Sequence, residues 1–161
     1  MNRRIVLVAA ACTVSLVALV FPYRDSKAQG GNASHDFAVG GITTGFGDIF
    51  SFAAQRNPQN GKVAGHVVRQ SAAGLTASGP VICLITDGNR ATIGWETRHS
   101  EDPAYPIGSQ QTLEVVDNGE PRLGIPTDTY DEDESPRNCS ATVPVFLPII
   151  RGNIVVNDAT P

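Results

Sequence analysis

The chain has 161 residues, with 12 Lys+Arg against 16 Asp+Glu and a net charge of −4. That length makes a single domain the default. The acidic balance, and the lack of any basic patch interleaved with aromatics, excludes nucleic acid and anionic membrane surfaces as natural partners.

Asn2-Arg3-Arg4 precedes an uncharged run from Ile5 to Phe21, and Ser26-Lys27-Ala28 puts small residues at the −3 and −1 positions. This is the pattern of a secretory signal peptide of bacterial type, residues 1–28, cleaved after Ala28. Left uncleaved, the run approaches the length that crosses a bilayer, and it is the chain's sole route to a membrane. Cleavage removes Arg3, Arg4, Arg24, Lys27 and Asp25, a net +3, so −4 becomes −7. The expected location is secreted, periplasmic or cell-surface, and the expected partner, if there is one, belongs to the cell envelope or the medium.

Residues 29–45 read as a flexible lead-in, within which His35 to Thr44 has the makings of a first short strand. The β-domain proper is expected over 46–161. Phe46 to Ala54 is a clearer strand, with Phe46, Phe50, Phe52 and Ala54 on one face at period two and Asp48 as the exception. Asn57-Pro58-Gln59-Asn60-Gly61 is a breaker loop. Val63 to Arg69 follows, where His66 alternates with Ala64 and Val68 and reads as a partly buried structural histidine. Ser71 to Gly79 has only Leu75 and Thr76 as a strand-like centre.

Val81 to Trp95 is the strongest hairpin signal. Its turn is either Asp87-Gly88, pairing Leu84 with Ala91, or Gly88-Asn89, pairing Leu84 with Ile93. Either way Ile82, Leu84, Ala91, Ile93 and Trp95 share one face, expected to be core, and Val81, Cys83, Ile85, Thr92, Gly94 and Glu96 share the other. Thr97 to Gln110 is a long polar loop. Gln111 to Val116 is a strand ending in the turn cluster Asp117 to Pro121. Leu123 to Thr129 is an edge strand or loop, and Asp131 to Glu134 is an acidic run expected as a solvated loop. In Thr142 to Ile150, Pro144 and Pro148 restrict the segment to an edge. Gly152 to Asp158 is a last strand. No helical period is sustained after the leader, so the fold is all-β: a single antiparallel β-sandwich, or alternatively a small β-barrel, of roughly seven to nine short strands.

Cys12 leaves with the leader, and Cys83 and Cys139 remain as one even pair in an oxidising compartment. They are expected to form a disulfide that draws the segment around Cys139 across the second face of the hairpin, over Val81 and Ile85.

Val81 to Gly94 (VICLITDGNRATIG) resembles the V-x-C-L-x-V-x-G-N-x-A-x-I-G stretch of a family of small exported bacterial proteins. Val115 to Pro121 matches the family's V-x-D-N-G-E-P turn and Gly152 to Val156 its G-N-I-x-V ending. A related domain follows choice-of-anchor segments in bacterial surface proteins. The resemblance spans most of 46–158 and departs from the pattern in Thr142–Ile150. It implies an exported β-domain and lends no activity, because the family itself is uncharacterised.

No catalytic residues are assigned. His35, His66 and His99 have no G-x-S-x-G elbow to serve. The metal candidate is calcium, on Asp117, Asn118, Glu120, Asp128, Asp131 and Asp133, since hard cations take several oxygens from acidic loops. The spacing is not that of an EF-hand, Asp-Asn-Gly is also ordinary turn chemistry, and no other cofactor is implied. The function expected is an exported, non-enzymatic structural or binding domain. The alternatives are an enzyme with a loop-assembled carboxylate and His66 or His99 site, or a barrel holding a small apolar ligand. Any site is expected in the loops after Thr97 and after Val116.

Overall fold

Phe50, Phe52 and Ala54 alternate with Ser51, Ala53 and Gln55, and the strand they build buries the first set and exposes the second. The computed structural model describes residues 35–120, 127–133, 139 and 146–159. Among these residues there are ten strands and no helix. They are β1 (Asp36–Thr43), β2 (Ile49–Arg56), β3 (Val63–Gln70), β4 (Thr76–Asp87), β5 (Arg90–Glu96), β6 (His99–Ser100), β7 (Gln110–Val116), β8 (Thr129–Asp133), β9 (Leu147–Pro148) and β10 (Arg151–Asn157). All pairings are antiparallel, in the order β10-β1-β2-β3-β4-β5-β7-β8-β9, with β6 beside β4. The sheet curls strongly into a half-barrel, and residues 31–161 form one compact unit. The all-β expectation holds. The leader (1–28), residues 123–126 of Leu123–Thr129 and residues 142–145 of Thr142–Ile150 lie outside the described residues, and Leu147–Pro148 does form an edge strand.

The curl begins in β4. Its first part, Thr76 to Pro80, pairs with β3, and its second, Val81 to Asp87, pairs with β5. Proline has no N–H to give a ladder, and Pro80 stands at that switch. A bulge follows at once, with Val81 opposite Trp95 and Cys83 opposite Gly94. Ile82 is the extra residue, and it reverses the facing expected at the hairpin's start. Val81 is core at 6 % exposure and Ile82 lies outward at 39 %. Beyond the bulge the expected facing is right: Leu84, Ala91, Ile93 and Trp95 are buried. The turn is Gly88-Asn89, with Leu84 opposite Ile93. Gly88 has φ +59°, the positive value that the first central position of a type II′ hairpin turn requires.

Other expectations are corrected. Phe46 does not join the Phe50 face. It is 73 % exposed in the turn between β1 and β2, where the Thr44 amide donates to Asp48 O. The first short strand expected at His35 to Thr44 forms as β1, paired on both edges by β10 and β2, so the sheet begins at least as early as Asp36, inside the lead-in assigned to 29–45. Asp131 to Asp133, read as part of a loop, belong to β8 and pair with β7.

β3 is turned over relative to its expected facing. Val67 and Arg69 point inward and are buried, while Ala64, His66 and Val68 are exposed. His66 is therefore not a buried structural histidine.

The core is one cluster drawn from both halves of the sheet, including Phe50, Val67, Leu84, Ile93, Trp95, Tyr105, Leu113, Val115 and Ile154. Burying each large apolar side chain contributes about 1.5–3 kcal/mol.

Candidate functional site

β3 carries Arg69 into the interior because three carboxylates from three other segments meet it there. Arg69 Nη2 donates to Asp48 Oδ2 at 3.1 Å, from the β1–β2 turn. Nη1 donates to Asp102 Oδ2 at 2.9 Å, from the loop after β6. Nε lies 3.8 Å from Glu132 Oε2 on β8 and, among the described residues, has no hydrogen-bond partner.

The guanidinium carbon sits 4.3 Å from the Tyr105 ring centroid and 5.9 Å from that of Phe50, within the range of a cation–π attraction. Tyr105 in turn stacks on Trp95 at 6.1 Å and donates its hydroxyl to Glu132 Oε1 at 2.7 Å. Burial pulls the Arg69 guanidinium down, but Tyr105, Glu132, Asp48 and Asp102 outweigh it and hold its pKa above the ordinary value. Arg69 stays charged throughout.

Tyr130 lies at the same end of the core, its ring 6.3 Å from Phe50. Its phenol is raised above the ordinary 10.0, first by burial and then by the charges of Glu132, Asp48 and Asp131, against a hydrogen bond with the Thr44 side chain. Just above that ordinary value the folded state keeps a proton that the unfolded state has released. This contribution to stability is therefore full below pH about 10 and falls as pH rises further. Tyr130→Phe is expected to flatten the alkaline loss of stability, read as urea midpoints from pH 9 to 11. An identical slope in the variant would count against the assignment.

The turn after β7 supplies a second cluster. Asp117 Oδ1 accepts from the Gly119 amide at 2.8 Å and its Oδ2 from the Val156 amide at 3.2 Å. Asp128 Oδ1 accepts from the Asn118 amide at 2.9 Å and its Oδ2 from the Ile154 amide at 2.8 Å. The Asn118 side-chain amide donates to Thr127 O at 2.8 Å. These groups tie β10, one end of the sheet, to the turn joining β7 and β8 near the other end. Of the six calcium candidates, the structure thus brings Asp117, Asn118 and Asp128 together, with all four carboxylate oxygens accepting backbone N–H groups. Glu120 is exposed beyond this group, and Asp131 and Asp133 are on β8. Among the described residues no group of three or more His, Cys, Asp or Glu is placed to hold a metal ion.

The histidines stay apart from both clusters. His66 is exposed on β3, His99 is exposed on β6, and His35 is exposed just before β1. Cys83 and Cys139 are disulfide-bonded, with Cα atoms 6.2 Å apart. The bond lies against Gly94, where a Cβ would meet both sulfurs. Thr92, Thr112 and Glu114 on that face are buried, and Arg90, ion-paired to Glu114 at 2.8 Å, lies over the Phe146 ring. Of the Ser135–Ala141 cover expected over the second face of the hairpin, Cys139 alone is among the described residues; Ile85 is exposed and Val81 faces the core instead. The bond closes a loop of 56 positions. Replacing both cysteines with alanine is expected to cost about 4 kcal/mol in urea unfolding; a loss under about 1 kcal/mol would contradict a structural role.

Two hollows open on the surface of the described residues. One of about 250 Å³ lies on the loop from Ser100 to Ile107, beside Asp102. The larger, about 410 Å³, opens on the outward side of β1, β2 and β3 between Phe37, Val39, Ala53 and Ala64. The Arg69 cluster went unseen in the sequence because Val68 and His66 imitate an inward face. The available signal was Arg69 two residues after Val67, in a chain with surplus carboxylates.

No family model, no curated protein and no solved structure matches the chain.

Proposed function

We propose that the chain is an exported, non-enzymatic β-domain that acts at the cell surface or in the medium as a structural or binding module. The observation that carries this reading is how the polar groups are spent. The carboxylates that converge do so on Arg69 or on backbone amides of β10, where each holds one segment of the sheet to another. A catalytic acid or base needs a position from which it can reach substrate, and these groups are aimed at the fold itself. The three histidines lie outside both clusters. A barrel holding an apolar ligand is disfavoured by an interior filled with Phe50, Trp95, Tyr105 and Leu113. Export rests on the pattern of residues 2–28, on the disulfide, and on the resemblance of Val81–Gly94 to the exported bacterial family.

The test is chemical crosslinking on intact cells and in their medium, followed by affinity recovery of the tagged chain. Recovery from the envelope or medium with a defined crosslinked species supports the module. A chain found only in the cytosol sinks export, and one recovered without any crosslinked species argues against a binding role.

A further inference from the structure

The two halves of the sheet differ on their outward sides. That of β5 and β7 is covered, as the burial of Thr92, Thr112 and Glu114 shows. That of β10, β1, β2 and β3 is bare. Its central row, in register across the four strands, is Val155, Val39, Ala53 and His66. Val39, Val155, Val68 and Ile49 on this face are 38 % to 43 % exposed.

We propose that this face is a self-association surface, on which two copies of the chain stack sheet against sheet about a two-fold axis. Charge selects the partner. Residues 29–161 carry a net charge of −7, so two copies repel each other through most walls. On these four strands the single carboxylate is Asp36, which is fully buried and ion-paired with Arg56. Asp48 and Asp158, which adjoin β2 and β10 in sequence, accept from Arg69 and from the Gly88 amide, and Glu101 accepts from the Thr76 hydroxyl. The face is thus one through which an acidic chain can meet itself without opposing carboxylates. A strongly charged foreign partner would find little to pair with, since Arg151 is the one Lys or Arg directed outward from the four strands.

Shape agrees with charge. A two-fold interface needs the same patch to be complementary to itself. Here Val39, with Val155 beside it in register, borders the hollow of about 410 Å³ that Ala53, Ala64 and Gly65 also line. Each copy can set Val155 against the other's hollow.

Area sets the strength. Four strands about 4.8 Å apart and seven residues long at about 3.3 Å each cover roughly 440 Å² per copy. The total of about 900 Å² is below that of stable interfaces and within the range of weak, transient ones. The dimer should therefore be transient, with dissociation in the micromolar range. This inference goes beyond the proposed module role and does not depend on export.

Sedimentation velocity on the chain as its cells process it, from 1 to 500 µM, tests the proposal. A reversible shift from monomer to dimer is expected across the micromolar range. Ala53→Glu and, separately, Ser51→Glu should each weaken association at least tenfold with the thermal midpoint nearly unchanged. Ile107→Glu, on an exposed loop elsewhere, should leave association as it was. A chain that stays monomeric to 500 µM, or a dimer indifferent to both face variants, overturns the proposal. So does a face that binds vesicles or a foreign protein while showing no self-association.

Discussion

Replacing Arg69 with alanine is expected to destabilise the fold by about 3–5 kcal/mol, the usual cost of removing one partner from a buried ionic group. The guanidinium satisfies Asp48, Asp102 and Glu132 at once. Without it three carboxylates are left facing each other, each with side-chain exposure of 18 % or less. The structural effect would be uneven. β3 keeps its pairing with β2 and β4, whereas the loop carrying Asp102 and Tyr105 loses its tether. Tyr105 would then loosen from Trp95, and the near-ultraviolet signal of the single tryptophan should report it.

Arg69→Lys should recover only part of the loss. A lysine presents one compact ammonium where the planar guanidinium reaches separate carboxylates and lies over the Tyr105 ring. Arg69→Met tests packing separately from charge, because it keeps the apolar stem that spans the core. Urea midpoints at constant m-value give the energies. If Arg69→Ala costs less than about 1 kcal/mol, the cluster is not holding the interior together.

How much of this could be read from the sequence differs by element. The hairpin from Val81 to Trp95 is legible because Asp87-Gly88-Asn89 marks its turn and its apolar residues alternate beyond the bulge, with two registers open until the pairing of Leu84 with Ile93 decides between them. The bulge at Ile82 is not legible, because an extra residue leaves no mark on an apolar run in which Val81, Ile82 and Leu84 are interchangeable in hydrophobicity. The facing of β3 is hidden for a related reason. Period-two patterning assigns the inward side by apolarity, and an arginine inward of Val67 gains its place only from carboxylates 21, 33 and 63 positions away along the chain. Phe46 followed the phenylalanine rhythm of β2, but tertiary context put the β1–β2 turn there.

By sequence the acidic run reads as one solvated stretch. Pairing with β7 instead splits it by face: Glu132 points toward Arg69, while Asp131 and Asp133 lie on the other side. The loops after Thr97 and Val116, where any site is expected, supply Asp102, Tyr105 and Asp117, which bond to β3, β8 and β10, and spacing alone does not distinguish such ties from binding.

The second large effect is expected at the seam where the sheet's ends meet. An edge strand leaves a row of backbone N–H groups without partners. β10 pairs with β1 on one side, and on the other the amides of Ile154 and Val156 are taken by Asp128 and Asp117. Each carboxylate spends its second oxygen on the turn after β7, at Asn118 and Gly119. The double variant Asp117→Ala/Asp128→Ala removes four acceptors. Each orphaned amide costs about 1–3 kcal/mol where it stays buried, and less where water reaches it. The Ile154 bond is buried and the Gly119 bond is exposed, so a total of about 4–6 kcal/mol is expected, with Asp128→Ala the more costly single change.

The two variants should couple, since both carboxylates close the same seam, and their sum should differ from the double variant by more than about 0.5 kcal/mol. Hydrogen exchange gives the local reading. The Ile154 and Val156 amides should lose protection in the double variant at denaturant concentrations where the amides of β5 and β7 keep theirs. Equal loss of protection across β5, β7 and β10 would mean that the carboxylates stabilise the fold globally and do not close its edge.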